Sequence, residues 1–386
     1  MFPIRIGTRQ GSIASPSLWN DHLDPLNKAL RSAGVGCHVG EVFLGVIDNG
    51  YADNLILLAP KRAAASQMLG ICEAWAKESN TRTGSGLSSH VCLVTTLCTD
   101  LRSIHYSSGF TYTNTYLGYV RNVLFSTDPN PTKSKSKVIY MCGLHRQLSK
   151  PAPLTLCGRS LPYVASATHL GHELNETGTM EYDTRIKRAQ FISNSLEIRE
   201  LFSFASPAEV IRALKVYSCS FYGSNLWELG SNMAEKVYNA WGTAVRLSWS
   251  VPRATRSYLV DHVLSPDVSS ARVDILAKFV GFFRSLRESS TPEVAFMAYL
   301  VGRDLRTTTG RNLRLIAEET MLDPWTVSPY LVKKALLGKA TEIPEGDSWR
   351  IPYLRLLLEQ RQSAHYGGYE EEETRLNELI NALCIN

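Results

Sequence analysis

The spacing of apolar residues changes character near residue 179, and no single regular architecture accommodates both sides of that change. Before it, short β-type runs such as Val42–Ile47, Leu55–Ala59 and Val138–Cys142 alternate with turn residues and with two stretches of helical spacing, Leu18–Ser32 and Lys61–Glu78. After it, apolar residues recur every three to four positions over Tyr182–Phe202, Ser206–Tyr222, Asn232–Ser250 and onward to the C-terminus. Ser206 is followed three residues later by Glu209, the spacing of a capping box, which sets a helix start there. The expectation is an α+β chain, mixed in its first part and helical in its second. One stretch fits neither part. From Ser79 to Arg121 the chain is rich in Ser, Thr, Gly and Tyr and almost without acids, and it reads as an irregular insertion. Asp128-Pro129-Asn130-Pro131 is a strong turn, after which β-type order resumes.

Composition narrows the function classes only a little. The longest apolar runs are far shorter than the roughly 20 residues a membrane-spanning helix needs, so no membrane is expected. The residues after Met1 show no secretory pattern, which leads to the expectation of an intracellular protein, in nucleus or cytoplasm. The eight cysteines are scattered without a Cys-x-x-Cys pair, and a structural zinc site is not expected. A net charge of +5 helps a polyanion bind without identifying one.

Two short segments carry the chemistry. In Gly7-Thr8-Arg9-Gln10-Gly11-Ser12, the glycines let a loop approach a ligand closely, Arg9 can pair with phosphate, and Gln10 can hydrogen-bond a base or sugar. Ser15-Pro16 then starts a helix. About forty residues on, Gly50-Tyr51-Ala52-Asp53-Asn54 lies between two apolar β-type runs, which puts an acidic residue at a hairpin bend. Catalysis with two magnesium ions roughly 3.5–4 Å apart needs carboxylates on such a rigid frame. Each segment alone also reads as an ordinary solvated loop, since Gly, Asn and Asp are favoured in turns for their own sake.

Taken together at this spacing, the two segments resemble the palm of reverse transcriptases from non-LTR (LINE-type) retrotransposons, with the Arg-Gln-Gly loop followed by the Tyr-x-Asp-Asp hairpin. Asn130–Lys137 is similar to the family's Lys-rich segment, and Ala167-Thr168-His169-Leu170-Gly171 to its hairpin near the primer. Tyr222–Trp227, Asn239–Arg246 and Val251–Thr255 resemble the thumb and the region downstream of the thumb. The resemblance implies a truncated palm over 1–80, the insertion over 81–121, and the end of the palm with a β connection over 122–178. It implies a helical thumb-like region over 179–265 and a helical C-terminal region over 266–386. Its implied activity is RNA-directed DNA polymerisation (nucleotidyl transfer) on an RNA template and DNA primer, with deoxynucleotides and Mg2+. Arg9, Gln10, Gly11, Tyr51 and Lys135 would line the nucleotide and template pocket, and Asp53 would hold the metal. Three departures bear on that activity. Asn54 stands where the family has a second Asp, and a neutral amide is a far weaker ligand for a hard cation. The family's other aspartate lies on a strand upstream of the Arg-Gln-Gly loop, before the start of this sequence, so an N-terminal half would have to be supplied elsewhere. The insertion interrupts the palm. The expectation is a fragment inactive alone, with a non-catalytic nucleic-acid-binding module or a decayed relic as alternatives.

In the helical part, Arg185, Lys187, Arg188, Arg199, Arg212 and Lys215 could follow the phosphates of a duplex. Interspersed acids, Glu181, Asp183, Glu197, Glu200 and Glu209, equally suit a solvated helix face. Trp227, Trp241 and Trp249 are expected in the core, Glu370–Glu373 at the start of a last helix, and His169 and His172 in a β context rather than on a metal-binding helix turn.

Overall fold

The computed structural model describes residues 15–39, 42–48, 54–78, 88–96, 124–125, 136–141, 152–169, 172–340, 343–344 and 346–385. Among them the chain is mixed α+β and mostly helical, with small sheets. It divides into two compact units, with the boundary between Thr179 and Met180.

The first unit contains α1 (Ser15–Ala33), β1 (His38–Val39), β2 (Val42–Phe43), β3 (Val46–Asp48), β4 (Asn54–Ala59), α2 (Arg62–Glu78), β5 (Ser88–Thr96), β6 (Leu124–Phe125) and β7 (Lys137–Met141). Beyond β7 come the short strands β8 (Thr155–Leu156), β9 (Arg159–Ser160), β10 (Tyr163–Val164), β11 (Ser166–His169) and β12 (His172–Asn175). The main sheet has the order β10-β7-β5-β4-β3, with β6 beside β5. β3 is antiparallel to β4, whereas β5 is parallel to both β4 and β7. Parallel neighbours need a crossover, and α2 lies in the chain between β4 and β5. After Asn54, β4 is continuously apolar because it is covered on both faces: Leu55, Ile56 and Leu57 are all buried. Leu26 and Leu30 of α1 and Met68, Leu69, Cys72 and Trp75 of α2 form one core with Leu55, Leu57, Val138 and Leu156.

The β1–β2 pair is held near β4 by Cys37 N–H to Leu58 O at 2.9 Å and Leu58 N–H to Gly45 O at 2.8 Å. Glycine is required there: a Cβ on Gly36 would stand 2.3 Å from the Gly45 Cα.

The expected irregular stretch over 81–121 needs a correction. It contains β5, which pairs with β4 from Asn54↔His90 to Ala59↔Thr95 and with β7 from Cys92↔Lys137 to Thr96↔Met141. A strand hydrogen-bonded on both sides belongs to the sheet's interior. Its central Val-Cys-Leu-Val run has the continuous apolar composition of a parallel strand rather than an alternating one.

The second unit is helical: α3 (Glu181–Leu201), α4 (Pro207–Ser218), α5 (Asn232–Ser248), α6 (Ser257–Leu259), α7 (Ala271–Arg287), α8 (Pro292–Arg303), α9 (Thr308–Thr320), α10 (Pro329–Ala340), α11 (Arg350–Gly367) and α12 (Glu370–Ile385). α4 begins with the expected capping box: the Ser206 hydroxyl accepts from Glu209 N–H while the Glu209 carboxylate accepts from Ser206 N–H. α7 is the central helix, with Val273, Ile275, Leu276, Phe279, Val280 and Phe283 all buried. Trp227 and Trp241 are in the core, and the partly buried Trp249 donates its indole N–H to Leu264 O at 2.7 Å. α11 and α12 form a hairpin that turns at Gly368, whose φ of 72° suits glycine. Glu370–Glu373 occupy the first turn of α12, at the positive end of its dipole. Among the described residues no helix is long and apolar enough to cross a membrane.

Candidate functional site

The acidic motif falls between β3 and β4, which pair antiparallel with Val46 opposite Leu57 and Asp48 opposite Leu55. Asn54 is the first residue of β4. Tyr51 and Asp53 lie outside the described residues, as do Arg9, Gln10, Gly11 and Lys135. α1 begins four residues after Gly11 and packs beside β3 and α2, so the helix that follows the Arg-Gln-Gly segment and the strands that flank the acidic motif belong to one core. Among the described residues no three His, Cys, Asp or Glu side chains gather closely enough to hold a metal ion. His169 and His172 are opposite in the register of the antiparallel β11–β12 pair, a strand context as expected.

The cations of the second unit do not make one stripe. On α3, Arg185 and Arg188 are three residues apart and share a face, whereas Lys187 points about 160–200° from Arg185. Arg185 is exposed and sits 4.9 Å from the centroid of the Tyr182 ring, while Lys187 lies 6.0 Å from that of Tyr222. Arg188 donates to Lys236 O at 3.2 Å. The cations of α4 have acidic partners: Arg212 is 3.7 Å from Asp267, and Lys215 pairs with Asp274 while donating to Ser269 O at 2.6 Å. Asp274 titrates below the ordinary carboxyl range: burial raises its pKa, and hydrogen bonds from Lys215, Ser269 and Lys333 more than reverse that. Asp183, expected among the solvated acids, is instead buried, and accepts the Trp227 indole N–H at 2.9 Å.

One cleft has no counterpart in the sequence motifs. Its floor is Ile211, Trp249, Leu264 and Leu358, and its rim carries Arg212, Asp267, Arg355 and Glu359. Arg355 is fixed by a bond to His262 O at 2.7 Å in a π-helical turn, Val260–Leu264. At about 220 Å³ the cleft is smaller than the roughly 300–1,000 Å³ of sites that enclose a small molecule. These residues come from four separated stretches of chain, so no local signal marks them. Comparison of the chain with known protein families, with curated proteins and with solved structures gives no match.

Proposed function

We propose that this chain is a portion of a reverse transcriptase of the non-LTR (LINE) type that does not polymerise DNA alone. The observation that carries the reading is the antiparallel pairing of β3 and β4 on either side of Tyr51 and Asp53. Phosphoryl transfer by this route needs acidic ligands on a frame of that kind, and one core joins those strands to the helix that follows Arg9, Gln10 and Gly11. Arg9 would contact the incoming nucleotide's phosphates, Gln10 and Gly11 the base pair, Tyr51 the primer end, Lys135 the nucleotide, and Asp53 a Mg2+ ion. Asn54 brings a neutral oxygen where a second negative charge is needed, so two divalent ions are not held together. Purified chain with Mg2+, deoxynucleotides and an annealed primer on RNA is expected to give no extension. Weak extension is expected only when Asn54→Asp is combined with the palm strand and fingers supplied as a second polypeptide. Extension by the unaltered chain alone overturns the proposal.

A second reading, a nucleic-acid-binding module without catalysis, is favoured by the exposed Arg185 stacked beside Tyr182 on α3, with Arg188 on the same face. Arg212 and Lys215 have acidic partners, which leaves Arg185, Lys187, Arg188 and Arg199, all on α3, as the candidate phosphate contacts. Up to four contacts correspond to a slope of log K against log salt of roughly −3 to −4 on a duplex. Salt-independent or absent binding would leave a decayed relic as the description of this chain.

A further inference from the structure

The cleft of the second unit is held open by a turn of unusual geometry. Val260–Leu264 is a π-helical turn closed by Ser265 N–H to Val260 O at 2.9 Å, and the Ser265 hydroxyl donates to the same carbonyl at 2.8 Å. Single π turns are rare, and many mark functional sites. Two carbonyls of this turn orient cleft residues: Leu264 O accepts from the Trp249 indole N–H at 2.7 Å, and His262 O accepts from the Arg355 guanidinium at 2.7 Å. Trp249 is held at its backbone as well, where its carbonyl accepts from the buried Arg361 at 2.5 Å. The floor is apolar, with Ile211, Leu264 and Leu358 no more than 2% exposed. Its volume of about 220 Å³ exceeds the roughly 150 Å³ of an apolar cavity that admits benzene, so one ring or one branched aliphatic side chain fits.

The rim sets the charge of the occupant. It carries Arg212 and Arg355 together with Asp267 and Glu359, whose formal charges cancel. Arg212 is 3.7 Å from Asp267, so those two compensate each other. Arg355 and Glu359 stand one turn apart on α11, with about 5–6 Å between Cβ atoms at that spacing. Among the described residues neither has an ion-pair partner, and the Arg355 guanidinium is held by the His262 carbonyl with further N–H donors to spare. A ligand bearing only a carboxylate would meet the two acids, and one bearing only an amine would meet the two arginines. The geometry points to a site for a free apolar α-amino acid of about the size of phenylalanine or leucine. Its side chain rests on Ile211, Trp249, Leu264 and Leu358, its carboxylate takes Arg355, and its ammonium takes Glu359. Both charged contacts are open to water, so the affinity is modest, with a dissociation constant on the order of 1 mM. All of these residues belong to the second unit, and the site is separate from the acidic motif between β3 and β4.

The test is an NMR titration of the full chain, isotope-labelled at the tryptophan indole nitrogens, with L-phenylalanine up to about 20 mM. The chain has seven tryptophans, few enough to resolve, and Trp249→Phe identifies the indole signal that donates to Leu264 O. The expected result is a saturable shift of the Trp249 signal with L-phenylalanine or L-leucine and none with L-alanine, whose methyl group cannot fill the floor. N-acetyl-L-phenylalanine lacks the ammonium and L-phenylalaninamide lacks the carboxylate, and each is expected to bind about five- to tenfold more weakly. Arg355→Gln and Glu359→Gln change exposed side chains outside the core, and each is expected to weaken L-phenylalanine by about the same factor. A Trp249 signal that stays unmoved at the highest concentration overturns the proposal, as does an affinity unchanged in both rim variants. Equal binding of N-acetyl-L-phenylalaninamide also overturns it, since the cleft would then be an anchor pocket for a side chain of a protein partner.

Discussion

Asn312 tests whether the second unit is specified by buried polar geometry or by apolar burial alone. It lies on α9 at 1% exposure, and its side-chain amide acts as a peptide group would: Nδ2 donates to Trp227 O at 2.8 Å and Oδ1 accepts from Leu229 N–H at 2.9 Å. Both partners belong to the short segment between Leu226 and Gly230, which lies outside any helix, so its backbone groups depend on such contacts. Asn312→Ala removes both bonds and leaves a small space in which a water can partly replace them, at a cost of about 2–3 kcal/mol. Asn312→Leu fills the space, excludes the water, and leaves the Trp227 carbonyl and Leu229 N–H buried and unpaired. Its cost rises to about 3–5 kcal/mol. The larger apolar side chain is therefore the worse one, the reverse of the order at an ordinary core position. Five of the seven tryptophans lie after residue 180, so tryptophan fluorescence in urea reports mainly on this unit. With a slope of about 2–3 kcal/mol/M, Ala shifts the midpoint down by roughly 1 M and Leu by more. A Leu variant as stable as the Ala variant, or more so, refutes the reasoning.

Two further predictions concern the ion-pair centre and the sheet. Asp274 has a folded pKa below its unfolded one, so its contribution is present above about pH 4 and lost as the pH falls through the folded value; Lys215→Met is expected to cost about 1–2 kcal/mol at pH 7, with the gap to the parent closing below pH 4 in urea titrations. Deletion of residues 81–121 removes β5 from between β4 and β7, and limited proteolysis is expected to cut 54–78 rapidly in the deletion protein; protection equal to the parent's would restore the reading of that stretch as a dispensable insertion.

Local chemistry was the part legible in the sequence. The helices from Glu181 onward follow from periodicity, the start of α4 from Ser206 and Glu209, and the buried Trp227 and Trp241 from their size. β5 was hidden because a window over Ser79–Arg121 averages its nine residues with the Ser- and Thr-rich sequence around them. The same limit governs the candidate sites. Asn54 changes the charge of its motif whatever surrounds it, and that is readable from one position. The roles of Asp183 and Lys215 depend on Trp227 and Asp274, partners 44 and 59 residues away, so a run of mixed charges could not separate a core hydrogen bond from a solvated face. The separation matters for function, because a cation already paired with a carboxylate releases little counterion when a phosphate approaches. Of the six cations that read as one stripe, the two on α4 are paired in this way, while of the four on α3 Arg185 and Lys187 lie near rings, Arg188 meets a carbonyl and Arg199 stands in the last turn. Any polyanion contact by this group therefore centres on α3, and substitutions on α4 should act on stability before they act on binding.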